Sequence, residues 1–175
     1  MSSVRERVRD HVHANPGVHF NQLARDLDIA TGQAQYHLRK LRRSGDVTAE
    51  EIRGRSHYFD DGYDAWERRV LGLYRRETAR EIIVTLLEDG PLSAGTLTDR
   101  LGVARSTISW QVSSLRDAGI VEQQYGERGR AVVSLTRPDE TQRLLQEVTP
   151  SLSDRLVDRF TRLVDASLAG SEEQR

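Results

Sequence analysis

Cysteine is absent from the 175 residues, which excludes disulfide bonds, thiol redox switches and thiolate metal sites. No apolar run approaches the roughly 18 residues that a membrane-spanning helix requires. The N-terminal residues Met1 to Glu6 have no apolar stretch after their charges, so no secretory signal is predicted. We therefore expect a cytoplasmic protein without a membrane partner.

Catalytic signatures are also missing. The sequence has no glycine-rich phosphate loop, no nucleophile–base motif and no spaced carboxylate cluster, and we predict that it is not an enzyme. A His-X-His pair, His11 and His13, is the one candidate for a metal site. On a helix, residues two apart point to different sides, so we predict neither a metal nor another cofactor.

Acidic residues are absent from one stretch, although the formal net charge of the chain is −1. Between Ile29 and Gly45 there is no Asp or Glu. The same stretch holds a cluster of cations: Arg39, Lys40, Arg42 and Arg43, with His37 beside them. Because local potential steers a polyanion more than net charge does, the cluster favours a nucleic-acid partner.

One sequence pattern occurs twice, at a constant spacing of 74 positions. The matching pairs are Leu23 and Leu97, Leu27 and Leu101, Ala30 and Ala104, Leu41 and Leu115, Gly45 and Gly119, and Val47 and Val121. Each copy is typical of a helix-turn-helix followed by a strand–turn–strand hairpin, which is the winged-helix pattern. The repeat narrows the function to reading a nucleic acid, or to a descendant of that activity.

Periodicity and breaking residues predict the elements of each copy. In the first copy, a capping box at Ser3 and Glu6 opens a helix, and a third helix runs from near Thr31 to Gly45. Two strands, 47–51 and 56–59, flank a turn at Arg53-Gly54-Arg55. The second copy repeats this order, with Ser93 as a helix N-cap.

The predicted fold class is mainly α with small β-hairpins (α+β), arranged as two tandem winged-helix domains. We place the domains at 1–60 and 77–137, with a linker helix at 61–76. C-terminal helices and a short disordered tail are predicted for 138–175.

The third helix of the first copy is the main candidate for reading DNA. With Ala34, Leu38 and Leu41 facing inward, its polar side is rich in amides and cations. The candidate residues are Thr31, Gln33, Gln35, Tyr36, Arg39, Lys40 and Arg43, together with Arg53 and Arg55 at the hairpin tip. Gln pairs with adenine and Arg with guanine, whereas the tip arginines suit phosphate or the minor groove. The alternative is a solvated amphipathic helix with ordinary surface charge.

The corresponding face of the second copy is polar but less basic. Its candidates are Arg105, Ser106, Thr107, Ser109, Trp110 and Ser113, with Arg128 and Arg130 at the hairpin tip. Hydroxyls donate to phosphates, and a cation near a helix N-terminus suits DNA contact. Trp110 could instead pack against the linker helix.

The segments 23–27 and 35–45 resemble the core of ArsR/MarR-type winged-helix transcriptional regulators, as do 101–112 and 115–121. The tandem arrangement, with Tyr-His-Leu-Arg in the first copy, most resembles archaeal two-domain regulators. The resemblance implies binding of double-stranded DNA. Gln35 and Tyr36 stand where that family usually has Ser and Arg or Lys, which leaves the base preference open. Metal-sensing members use Cys and His clusters, so metal sensing is not implied.

An apolar stripe near the C-terminus is the candidate dimer contact. It comprises Leu152, Leu156, Phe160 and Leu163, and the alternative is that these residues pack against the chain's own domains.

We expect a sequence-specific regulator, acting as a homodimer that represses by occupying a promoter. A tandem winged-helix scaffold for protein interactions is the alternative. A cleft between Trp66, Tyr74 and Trp110 could hold a small effector, and whether an effector exists is left open.

Overall fold

Three helices and a three-stranded antiparallel sheet form each half of the chain in the computed structural model, which describes residues 2–126 and 129–148. The first half contains α1 (Val4–Ala14), β1 (Val18–His19), α2 (Phe20–Asp26), α3 (Thr31–Ser44), β2 (Thr48–Ile52) and β3 (Arg55–Phe59). After α4 (Ala65–Tyr74), the second half contains α5 (Glu77–Asp89), β4 (Leu92–Ser93), α6 (Ala94–Leu101), α7 (Arg105–Asp117), β5 (Val121–Tyr125) and β6 (Ala131–Leu135). Helix α8 (Pro138–Val148) follows.

The helix ends have the local chemistry that the sequence predicts. Ser3 Oγ accepts from the backbone N–H of Glu6 at 3.2 Å, and the Ser3 N–H donates to the Glu6 carboxylate at 2.7 Å. Helix α3 ends at Gly45, whose φ of +84° is the left-handed conformation that glycine adopts at low cost. Ser93 accepts from the Thr96 N–H and caps α6, as predicted.

Each sheet has a short third strand that the sequence pattern did not reveal. The strand orders are β1-β3-β2 and β4-β6-β5, and β1 and β4 are only two residues long. The first hairpin turn is also tighter than expected, because Ile52 pairs with Arg55. Only Arg53 and Gly54 form the turn, both with positive φ, 54° and 73°, as in a two-residue hairpin. The three-residue turn prediction was wrong, and Arg55 begins β3.

Two hydrophobic clusters support the halves, and α4 belongs to the second. The first contains Val8, Leu23 and Leu38 and lies among α1, α2 and α3. The second contains Trp66 and Val70 of α4 and continues through α5, α6, α7 and α8. The β2–β3 hairpin, residues 48–59, is the wing of the first half. Its residues Ile52 and Phe59 join this second cluster. The segment predicted as a linker is thus part of a core.

Polar contacts from α4 hold both halves. Toward the first half, Arg68 Nε lies 2.6 Å from the Glu50 carboxylate, and Arg75 Nε donates to the Pro16 carbonyl at 3.0 Å. Toward the second half, Trp66 Nε1 donates to the Gly119 carbonyl at 3.0 Å, and Arg69 Nε donates to the Ala118 carbonyl at 2.9 Å.

Within the described part of the chain, no helix combines the length and the apolar character needed to cross a bilayer. The predicted dimer stripe, Leu152, Leu156, Phe160 and Leu163, lies outside the described residues, as does Arg128 at the second hairpin tip.

His57 gives the fold a pH dependence. Its side chain is buried, and its Nδ1 is 2.7 Å from the Gly17 carbonyl, so that nitrogen carries the proton and donates. Burial lowers the pKa of His57 and nearby cationic groups lower it further, although the bond to Gly17 partly offsets both effects. The neutral ring is therefore the form that the folded state prefers.

Lowering the pH from 8 to 5 is expected to reduce the free energy of unfolding, because His57 takes up a proton at about pH 6.5 in the unfolded chain but only at lower pH in the folded protein. The loss of stability begins as the pH falls through that value and ends only below the pKa of His57 in the folded protein. Urea denaturation of the parent and of His57→Gln across this pH range measures the effect. An identical pH slope in both proteins would contradict it.

Candidate nucleic-acid interface

Helix α3 has the two faces that its sequence predicts. Ala34, Leu38 and Leu41 are buried against the first core. The exposed side carries the amide and cationic candidates Gln33, Gln35, Tyr36, Arg39, Lys40 and Arg43, and Thr31 is exposed at its start. We call this set the α3 face. Tyr36 is 52% exposed, and Lys40 Nζ lies 5.7 Å from the centre of its ring.

Helix α3 begins without a side-chain cap. Its N-cap residue is Ala30, whereas α2 begins with His19, which accepts from the Gln22 N–H. Gln33 folds back, and its Oε1 accepts from the Ala30 N–H at 3.4 Å. The N–H groups of the first turn of α3 are therefore not held by a capping side chain. Such a helix start attracts anions.

A groove of about 420 Å³ joins the α3 face to the first wing. Gln35 lines it from α3, Arg55 and Ser56 line it from β3, and Asn21 lines it from the start of α2. The structure thus brings together Gln35 and Arg55, which were both predicted. Asn21 and Ser56 were missed, because the short strand β1 that sets the start of α2 beside β3 has no periodic signal in two residues.

Arginine side chains surround His19 in the groove. Burial lowers the pKa of His19, which also lines the groove, and the charges of Arg55, Arg25 and Arg75 lower it further. The carboxylate of Asp26, which lies 3.3 Å from His11 Nε2, acts in the opposite direction on the pKa of His19. A phosphate entering this groove meets the guanidinium of Arg55.

Arg53 points elsewhere. Its guanidinium carbon lies 3.4 Å from the centre of the Trp110 ring, so the tip of the first wing stacks on α7 of the second half. Arg53 and Arg55, predicted as a pair of tip cations, are separated: Arg55 lines the α3 groove and Arg53 contacts the second half. Trp110, a candidate for DNA contact with packing against the linker helix as the alternative, is 53% exposed and has Arg53 over its ring.

The face of α7 differs in charge from the α3 face. The positions equivalent to Arg39, Lys40 and Arg43 hold Ser113, Ser114 and Asp117. Ser114 is buried. At the start of α7, the candidates Arg105, Ser106 and Ser109 are exposed, Thr107 is half-buried, and N-cap Ala104 provides no side-chain cap. Arg130 is exposed just before β6.

The histidines near the N-terminus have separate partners. His11 Nε2 lies 3.3 Å from the Asp26 carboxylate, His13 Nδ1 lies 2.7 Å from the Asp60 carboxylate, and His19 caps α2. Among the described residues, no group of three or more His, Asp or Glu side chains has the arrangement of a metal site.

Two domain models match the chain, one on each copy of the repeat. An "N-terminal HTH domain" model matches residues 2–71, and a "Helix-turn-helix domain" model matches residues 76–124. The chain therefore carries two helix-turn-helix domains in tandem. The matches cover α3 and α7, the third helix of each copy, and the first model also includes most of α4.

The chain is similar to an uncharacterized HTH-type transcriptional regulator from Methanocaldococcus jannaschii, to which it is 23% identical over 133 residues. The match covers 76% of this chain but only 33% of the relative, so the chain spans about a third of that protein's length.

Solved structures that the chain matches include reduced HlyU from Vibrio cholerae, with a TM-score of 0.40 and 28% identity over 47% of this chain and 87% of that chain. A MarR family regulator from Neisseria meningitidis has a TM-score of 0.37 and 18% identity, over 57% and 81% of the two chains.

Proposed function

We propose that the protein is a sequence-specific DNA-binding transcriptional regulator in which the first copy supplies the main reading surface. The observation that carries the proposal is the acid-free α3 face, continued by a groove to Arg55 of the wing. The M. jannaschii relative is described as an HTH-type transcriptional regulator, which supports extending that role to this chain.

The α3 face supplies the chemistry needed in the major groove. Gln35 presents an amide that pairs with adenine in two hydrogen bonds. Arg39 and Arg43 reach guanine edges or phosphates, and Lys40 adds a point charge for phosphate. The uncapped start of α3 and Arg55 receive the backbone phosphates on either side.

The second copy plays a smaller part in DNA contact. The start of α7 presents an exposed cation, Arg105, with the hydroxyls of Ser106 and Ser109. Trp110 is engaged by Arg53, and Arg116, near the other end of the helix, donates to the side chain of Gln123. We propose that this copy holds the wing of the first through that stack. Its DNA contacts are then limited to phosphates near Arg105 and, from its own wing, Arg130.

We further propose that the regulator acts as a homodimer and represses transcription by occupying a promoter. The apolar residues Leu152, Leu156, Phe160 and Leu163 supply the dimer contact in this proposal. Light scattering on the full chain measures the mass of the assembly. A monomer at micromolar concentration would contradict the dimer.

Gln35→Ala is expected to weaken binding to the preferred DNA site by about 1–3 kcal/mol relative to random DNA, because the amide reads a base and not a phosphate. Fluorescence anisotropy at fixed salt with both DNAs measures the difference. Gln142→Ala, at an exposed position on α8, is the matched control and leaves both affinities unchanged. An equal loss on both DNAs would show that Gln35 does not read a base.

A further inference from the structure

A second cavity lies between the first wing, α4 and α7. Its volume is about 260 Å³, below the roughly 300–1,000 Å³ of pockets for drug-sized ligands, and it suits a smaller molecule. Ile52 of the wing and Leu73 of α4 give it an apolar side. Both are buried residues of the second hydrophobic cluster.

Four charged side chains line the same cavity without pairing with one another. They are Glu51 and Arg53 of the wing, Arg69 of α4 and Asp117 of α7. None of the four takes part in a salt bridge among the described residues. A ligand that carries one positive and one negative group can pair with the carboxylates and with the arginines of such a cavity at the same time.

The two arginines have free donors. Arg53 stacks on Trp110, and its buried Nη1 has no hydrogen-bond partner among the described residues. Arg69 uses Nε to hold the Ala118 carbonyl, which fixes the guanidinium at the cavity. An unpaired buried donor is costly, and a carboxylate is the acceptor that satisfies a guanidinium best.

The surroundings favour an anion at the arginine end. Burial lowers the pKa of Arg76, and the charges of Arg53 and Arg55 lower it further. Arg53 of the cavity thus has a second cation, Arg76, near it. The negatively charged side of the cavity is formed by Glu51 and Asp117, which are exposed and have no salt-bridge partner among the described residues.

We propose that this cavity binds a small zwitterion, namely a free α-amino acid. Its carboxylate accepts hydrogen bonds from Arg53 and Arg69, and its ammonium group donates to Glu51 and Asp117. Its side chain contacts Ile52 and Leu73. The ligand thus bridges the wing of the first copy and α7 of the second. The site goes beyond the proposed function, and binding is measured on the free protein, so its failure would not count against DNA binding.

Titration of the full chain with each standard amino acid at millimolar concentration tests the proposal. Calorimetry measures binding, and Trp110 fluorescence locates it, since Arg53 covers that ring. At least one amino acid is expected to bind, and its N-acetyl and its amide derivatives, which each lack one charge, are expected to bind about tenfold more weakly or less. The fluorescence change is expected to disappear in Trp110→Phe.

Paired variants separate a specific site from general charge effects. Glu51→Gln with Asp117→Asn removes both acceptors without altering a buried contact, and about a tenfold loss of affinity or more is expected. Glu88→Gln with Asp139→Asn, both exposed and away from the cavity lining, changes the net charge equally and is expected to bind as the parent does. Absence of binding by every amino acid, or unchanged binding by the first double variant or by the N-acetyl form, would overturn the proposal.

Discussion

Replacing Arg39 and Lys40 together by alanine is expected to weaken binding to every DNA sequence by about a hundredfold or more, since each charged hydrogen bond contributes about 1.5–3 kcal/mol. Both side chains are exposed on α3, in a stretch without acidic residues. Loss of two phosphate contacts should also reduce the slope of log affinity against log salt by about two. Anisotropy titrations from low to physiological salt measure both quantities.

A charge-matched control distinguishes contact from general attraction. Arg100→Ala with Arg143→Ala removes two exposed cations from α6 and α8 of the second half. This control is expected to keep the parent's salt slope. If the Arg39/Lys40 variant also keeps that slope, neither residue lies in the interface.

Trp66→Ala is expected to lower the free energy of unfolding by about 3–5 kcal/mol, the usual cost of removing a buried tryptophan. Trp66 is only 6% exposed, donates to the Gly119 carbonyl, and packs beneath Arg137, whose guanidinium carbon is 4.8 Å from the ring centre. Urea denaturation measures the change. The loss is large because α4 is part of a core and not a free connector.

Trp66→Phe serves as the milder companion variant. It keeps most of the buried area and removes the hydrogen bond to Gly119, so the free energy of unfolding is expected to fall by about 1 kcal/mol. A loss below about 1 kcal/mol in Trp66→Ala would mean that the helix is not packed as described.

The helices could be predicted because their signals are local. The capping box at Ser3 and Glu6, the glycine at position 45 and the spacing of Ala34, Leu38 and Leu41 each depend on near neighbours in sequence. The strands β1 and β4 could not be predicted, because two residues show no alternation and their pairing with β3 and β6 is long-range.

The α3 face could also be predicted, since burial of one helical side determines which residues remain exposed. The role of Arg53 could not, because its contact with Trp110 joins residues 57 positions apart in separate copies of the repeat. The cavity lined by Glu51, Arg69 and Asp117 could not be predicted for the same reason, because these residues come from three different elements, β2, α4 and α7. Contacts between repeats leave no periodic trace in the sequence.

The most direct test is selection of genomic DNA fragments by the purified full chain at near-physiological salt, followed by sequencing. Enrichment of a compact inverted repeat, lost in the Gln35→Ala protein, is expected for a homodimer that reads bases through α3. Retention of DNA without any shared motif would contradict sequence-specific reading. Failure to retain DNA would contradict the proposed function and favour a scaffold that binds other proteins.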